Sequence, residues 1–250
     1  EDERAKIEGI LVSTGAINRT HRKVGKEIIN LLPNLKVIST PSTGINHIDV
    51  QAATDRGIRV GRSPGHFPSD AVAEFAFGLL LASARSIVLA NEIARTTVFS
   101  SGQVTLARSA RRRSRKVDEW WMIPQGGKLL QESDFVILCL PYTDQTKHII
   151  SSKELCLMKP TATLINVGRG GTVNHDDLTA ALRNGVIRGA ALDVTEPDNL
   201  PEDHPLFTMQ NVIITPHIAT YTESTFFKMF TTVLDNLKAG IKGKDLPSPV

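Results

Sequence analysis

The run Ala162-Thr163-Leu164-Ile165-Asn166-Val167-Gly168-Arg169-Gly170-Gly171 opens with largely apolar, partly β-branched residues and closes on glycine. It reads as a buried strand, from Ala162 to Val167, that stops at a turn. Asp176–Asn184 then shows helical spacing and is ended by Gly185. Ile187-Arg188-Gly189-Ala190-Ala191-Leu192-Asp193-Val194 reads as a second strand. Strands that follow each other through a helix pair in parallel, so the fold class is α/β with helices on the faces of parallel sheets.

The alternation extends in both directions. Gly9–Thr14 reads as a strand, and Thr20–Leu32 as a helix with Val24, Ile28, Leu31 and Leu32 on one face, stopped by Pro33-Asn34. Leu35–Ser39, His47–Arg56 and Ile58–Val60 follow as strand, helix and strand. Ser69–Ala94 reads as one long helix, capped by Ser69 or Asp70 with Glu74 nearby. Regularity fails over Arg95–Gly127 and then resumes. Ser133–Leu140 is a strand, Ser151–Met158 a helix closed by Pro160, Val212–Thr215 a strand, and Thr222–Ile241 a last helix. The helix at 69–94 is the natural link between two parallel-sheet units.

The 250 residues, 41% hydrophobic and 22% charged, suit a folded chain with a real core. Phe75–Ala84, the longest apolar run, is too short to cross a bilayer, and Glu1-Asp2-Glu3-Arg4 carries no secretory pattern. Cys139 and Cys156 sit in apolar surroundings and read as buried thiols of a reducing compartment, so a cytoplasmic location is expected. No Cys/His cluster has zinc spacing, and no metal is expected. The net charge of +3 is owed to one segment holding Arg108, Arg111, Arg112, Arg113, Arg115 and Lys116; without those six charges the balance is −3. A nucleic-acid surface is therefore not expected.

Ligands of this architecture sit beyond the carboxyl ends of the strands. Three kinds of polar group stand there in the second half: Arg169 after Val167-Gly168, Glu196 and Asp198 after Val194, and His217 after Thr215-Pro216. Arginine grips a carboxylate with a planar fork. Histidine donates a proton near neutral pH, and a neighbouring carboxylate favours its charged form. Singly, each has a plain alternative: a surface arginine in a glycine turn, a satisfied histidine, a solvated acidic loop. Their succession on consecutive strand ends is what points to a site that polarises a carbonyl beside a carboxylate.

The same residues carry a family resemblance. Asn166-Val167-Gly168-Arg169-Gly170-Gly171, Ala191-Leu192-Asp193-Val194 and Thr215-Pro216-His217-Ile218 resemble successive signatures of the D-2-hydroxyacid dehydrogenases. Upstream, Ser42-Thr43-Gly44-Ile45-Asn46-His47-Ile48-Asp49, Asp70-Ala71-Val72-Ala73-Glu74-Phe75 and Leu140-Pro141-Tyr142-Thr143 with Thr146 add to it. The chain looks most like the glyoxylate/hydroxypyruvate reductases of that family.

The resemblance implies two Rossmann-like domains, one flavodoxin-like and one doubly wound. Residues 1–88 form the substrate domain, N-terminally short and joined by the C-terminal helix at 222–250; residues 89–221 form the NAD(P)-binding domain. It implies reduction of a small 2-oxo acid by NAD(P)H. Arg169 binds the substrate carboxylate and polarises the keto group, His217 protonates the oxygen, and an acid orients His217. The family register, five residues after Asp193, places that acid at Asp198, with Glu196 as the other candidate. Backbone N–H groups of Thr43 and Gly44 hold the carboxylate. Asp193 bonds the nicotinamide amide, and Pro141, Thr146, Val167, Gly168, His217 and Ala219 complete the cofactor contacts.

One family feature is missing. Gly-x-Gly-x-x-Gly occurs nowhere in the chain, and Arg95–Glu132 holds no strand–glycine–helix unit. Those glycines let backbone approach a pyrophosphate at a helix N-terminus. The second domain is thus expected to lack its first βαβ unit. Arg111–Lys116 resembles the clamp for a ribose 2′-phosphate, which tips the expected cofactor towards NADP over NAD; a solvated charged loop is the alternative. A non-catalytic relative acting as an interaction protein is the rival functional reading. The apolar faces of 69–94, with Val72, Phe75, Phe77, Leu79, Leu80 and Leu81, suggest a homodimer or simple burial.

Overall fold

A computed structural model of the chain describes residues 3–12, 23–96, 126–198 and 200–250. It divides into two units, Glu1–Val72 with Thr220–Val250, and Ala73–Ala219.

In the first unit, β1 (Gly9–Leu11), β2 (Val37–Ser39) and β3 (Arg59–Gly61) form a parallel sheet in the order β1-β2-β3. Its helices are α1 (Lys26–Leu31) and α2 (Val50–Asp55). Asp49 caps α2 by accepting from the Ala52 N–H at 3.0 Å, so the helix starts three residues later than its apolar pattern suggests. Ile29, Ile38, Ala53 and Ile58 are buried against each other. The last helix of the chain, α8 (Glu223–Ile241), covers this sheet. Thr222 caps it, and its fully buried Asn236 donates to Ser39 Oγ at 3.3 Å and accepts from the Ser248 N–H at 3.0 Å. Arg59 bonds the carbonyls of Gly240 and Lys244 at the end of the helix, where four carbonyls lack helical donors.

The helical pattern at 69–94 breaks in two. α3 (Ser69–Ala84) and α4 (Ile87–Thr96) meet at a bend of 60°. Ser86 takes a left-handed backbone, φ 52°, and Ser83 turns its hydroxyl back onto the Leu79 carbonyl. Neither glycine nor proline marks the break, so apolar spacing alone ran through it. Among the described residues no single helix is long and apolar enough to cross a membrane.

In the second unit, β4 (Phe135–Leu138), β5 (Thr163–Asn166), β6 (Gly189–Leu192) and β7 (Val212–Ile214) form a parallel sheet in the order β4-β5-β6-β7. α5 (Gly126–Glu132) leads into β4, α6 (Ser152–Leu157) connects β4 to β5, and α7 (His175–Arg183) connects β5 to β6. Ser151 and Glu154 close a capping box on α6, and the Asn174 side chain caps α7. Leu155, Leu164, Leu178, Ile187 and Leu192 are fully buried here. Burying such a leucine contributes about 1.5–3 kcal/mol.

Two expectations need comment. Cys139 and Cys156 are exposed free thiols, not buried ones. Cys156 lies about 100° round α6 from the buried Leu155, turned away from the core. The expected loss of a first βαβ unit and the basic run 108–116 fall largely or wholly on 97–125, outside the described residues.

Candidate active site

The polar residues singled out above stand just beyond β5, β6 and β7. Around the first, Asn166 ends β5 fully buried and wraps the turn that follows. Its Oδ1 accepts from the Gly168 N–H at 3.1 Å, and its Nδ2 donates to the Arg169 carbonyl at 2.9 Å. Thr172 Oγ1 donates to the same carbonyl at 2.7 Å. The turn therefore fixes the backbone of Arg169. One guanidinium nitrogen, Nη1, donates to the Gly168 carbonyl at 2.8 Å. Burial pushes the Arg169 pKa down, and Asp198 pulls it back up. An anion beside this arginine would restore what desolvation costs.

Past β6, Asp193 is buried and its carboxylate organises the stretch that follows β7. Oδ1 accepts from Thr215 Oγ1 at 2.6 Å and from the Ile218 N–H at 2.9 Å. Oδ2 accepts from the Ala219 N–H at 2.9 Å. His217 lies between those anchor points with φ 56°, a left-handed conformation uncommon for a residue other than glycine. Its Nδ1 stands 3.5 Å from Asp198 Oδ2. Glu196 takes a different partner, His148, whose Nε2 is 2.8 Å from its Oε2. Of the two acids left open by sequence, Asp198 is the one set against His217.

The loop after β4 is tied by threonines. Thr146 Oγ1 donates to the Pro141 carbonyl at 2.7 Å and accepts from the Thr143 N–H at 2.8 Å. Val167 and Gly168 are buried, and the Val167 N–H is spent on the Leu138 carbonyl at 3.1 Å. Ala219 is also buried, with its N–H on Asp193.

In the first unit, the Thr43 and Gly44 N–H groups have no acceptor among the described residues. Two hydroxyls there are buried without a hydrogen-bond partner, Thr43 Oγ1 and Ser63 Oγ. Buried hydroxyls are costly unless a water or ligand meets them. Ser63, adjacent to this loop through its N–H on the Ser42 carbonyl at 3.2 Å, had no sequence signal beyond a Ser-Pro-Gly turn.

Comparison with known proteins meets this geometry. Residues 89–219 match the NAD binding domain of the D-isomer specific 2-hydroxyacid dehydrogenases. The chain belongs to that family. It is 38% identical to a glyoxylate reductase of Thermofilum pendens over 91% of this chain and 78% of that one. A glyoxylate reductase of Thermococcus litoralis is 34% identical, covering 100% of this chain and 88% of its own. That alignment runs over 297 positions for the 250 residues here, so the relative has residues within the matched span that this dehydrogenase-family chain lacks. Among solved structures, an NADPH-dependent glyoxylate/hydroxypyruvate reductase from Sinorhizobium meliloti, in complex with NADP and malonate, superposes with a TM-score of 0.80 at 27% identity, covering 100% of this chain and 86% of that one.

Proposed function

We propose that this oxidoreductase reduces a small 2-oxo acid, glyoxylate or hydroxypyruvate, to the D-2-hydroxy acid with NAD(P)H. The observation that carries the reading is the grouping of Arg169, Asp198 and His217 beyond consecutive parallel strands, with Asp198 Oδ2 3.5 Å from His217 Nδ1. Arg169 grips the carboxylate and draws electron density from the adjacent keto oxygen. Asp198 holds Nδ1 of His217, which leaves Nε2 to give its proton to that oxygen. The Thr43 and Gly44 N–H groups of the first unit are the proposed further donors to the carboxylate.

The nicotinamide end of the cofactor fits the described residues. Asp193 has two donors on one oxygen and one on the other, so a lone-pair position remains for a carboxamide N–H. Pro141, Thr146, Val167, Gly168, His217 and Ala219 are the proposed neighbours of that end. Reduced nicotinamide supplies the hydride to the keto carbon. The run Arg111–Lys116 supports NADP over NAD. Residues 1–88 with the C-terminal helix at 222–250 serve as the substrate domain and 89–221 as the cofactor domain, although the two compact units divide earlier, after Val72 and Ala219.

Loss of nicotinamide absorbance with glyoxylate or hydroxypyruvate tests the reading. No turnover here, with turnover in a version carrying a restored glycine segment, would remove activity from this chain and leave its ancestry intact. Calorimetry with NADPH and NADH discriminates between the readings: micromolar binding favours the enzyme, and no binding favours a non-catalytic interaction protein.

The proposed assembly is a homodimer in the cytoplasm. Phe77 and Leu81 of α3 and Ile87 and Val88 of α4 are large apolar residues left exposed, and the two cysteines are free thiols. Light scattering that finds a folded monomer throughout the micromolar range overturns the dimer.

A further inference from the structure

His148 is neither in the substrate grip nor beside His217, yet it holds an unusual conformation. Its φ is 49°, in the left-handed region that few non-glycine residues occupy. Two contacts hold the residue. Its backbone N–H donates to the Gly171 carbonyl at 2.8 Å, and its side-chain Nε2 bonds Glu196 Oε2 at 2.8 Å. With the proton on Nε2, that bond forms whether the ring is neutral or charged.

These two contacts join different parts of the site. Gly171 belongs to the turn that follows Arg169. Ile150 continues the attachment: its N–H donates to the Thr172 carbonyl at 3.1 Å, and its carbonyl accepts from the Asn174 N–H at 2.9 Å. Residues 148–150 thus run as a short parallel strap along 171–174, bridged at Ile150 and Val173. Glu196 belongs to the loop that carries Asp198. Turn and loop also touch directly. A Cβ on Gly170 would lie 1.9 Å from the Thr195 carbonyl oxygen, so only glycine permits this approach. A Cβ on Gly171 would meet the Tyr142 ring at 2.5 Å and Glu196 Oε1 at 3.1 Å.

We propose that His148 and Glu196 are positioning residues, whose side-chain bond ties the turn carrying Arg169 to the loop carrying Asp198 and thereby sets the spacing between the carboxylate grip and the acid–imidazole pair. The inference rests on the reaction proposed above. It gives Glu196 a task distinct from that of Asp198: Glu196 acts on substrate affinity through the turn, and Asp198 on proton transfer through His217.

The test uses the full chain and the variants Glu196→Ala, Glu196→Gln, His148→Ala, His148→Asn and the double Ala variant, with thermal melting to verify folding. Glu196→Ala and His148→Ala are each expected to lower kcat/KM for glyoxylate about 10–100-fold, mainly through KM, as when a positioning contact is lost. NADPH affinity stays unchanged. The double variant is no worse than either single one, because both remove the same bond. Glu196→Gln keeps most activity, since its amide oxygen still accepts from Nε2. Asparagine tolerates the left-handed backbone but is too short to reach Glu196, so His148→Asn should fail as His148→Ala does. Additive losses in the double variant, unchanged KM in the single ones, or wild-type rates for His148→Asn overturn the positioning role. If the wild-type chain turns over neither 2-oxo acid, the reaction reading fails, and malonate calorimetry on the same variants decides the positioning role separately. Weaker malonate binding in Glu196→Ala supports it. Binding that is equal, or absent in both, overturns it.

Discussion

Asp198 approaches His217 from the Nδ1 side at 3.5 Å, which leaves the opposite ring nitrogen, Nε2, for the substrate of the reaction proposed above. The contact is longer than a formed hydrogen bond, and such catalytic contacts commonly tighten when substrate binds. His217→Ala therefore removes the proton donor, while cofactor binding, to which His217 is one proposed neighbour among several, falls far less. The expected loss in kcat is about 10²–10⁴-fold, measured beside a much smaller change in the NADPH dissociation constant. A loss of cofactor affinity of the same size would instead make His217 a binding residue.

Asp198→Asn keeps the shape of the side chain but removes its charge. The aspartate is about two-fifths exposed, so water screens part of its effect. The expected fall in kcat is about 10–10³-fold, below the roughly 10⁴-fold that follows the same change at a buried triad carboxylate. Steady-state kinetics should place this loss in kcat, whereas Glu196→Ala acts mainly on KM.

Arg169→Lys preserves the charge and loses the fork. Burial already presses on this guanidinium, and an ammonium cannot make the paired bonds that an incoming carboxylate offers. Losing one hydrogen bond to a charged group costs about 1.5–3 kcal/mol, so kcat/KM should fall accordingly. Wild-type KM for glyoxylate in this variant would remove Arg169 from the site.

Asp193→Asn replaces one accepting oxygen by an NH₂ group that faces a donor. One or more of Thr215 Oγ1 and the Ile218 and Ala219 N–H groups then lacks an acceptor. The cost is about 1–3 kcal/mol, read as a lowered urea midpoint, and kcat should fall with it because His217 loses its anchors. Full stability with lost activity would assign Asp193 to the cofactor alone.

His175 links stability to pH. Burial pushes its pKa below the ordinary 6.5, against the opposing pull of its bond to the Val173 carbonyl and of Glu196. The unfolded chain therefore takes up this proton first as pH falls. Stability contributed by the neutral ring is complete above about 6.5 and drains away between that value and the lower folded one. Urea midpoints at pH 7.5 and 5.5 should differ more for wild type than for His175→Asn, whose amide still reaches Val173. Equal differences would locate the acid sensitivity elsewhere.

Periodicity along the chain was enough to show that it is built of parallel strands and helices, and chain order was enough to place three polar residues after strand ends. Short β-branched runs such as Leu164-Ile165 alternate with helical spacing, and that periodicity reports which faces each segment buries. Arg169, Asp198 and His217 follow strand ends, and chain order alone puts such residues on one edge of a sheet. Other decisions belonged to the tertiary structure. Glu196 and Asp198 are two residues apart and chemically alike, and their partners are His148, 48 residues away, and His217. Asp193 meets Thr215, Ile218 and Ala219 at separations of 22 to 26 residues. The break at Ser86 and the exposure of Cys139 and Cys156 were likewise set by packing. Local periodicity encodes the face that a residue presents, whereas a hydrogen-bond partner is chosen only when the folded chain brings distant backbone and side chains within about 3 Å of each other.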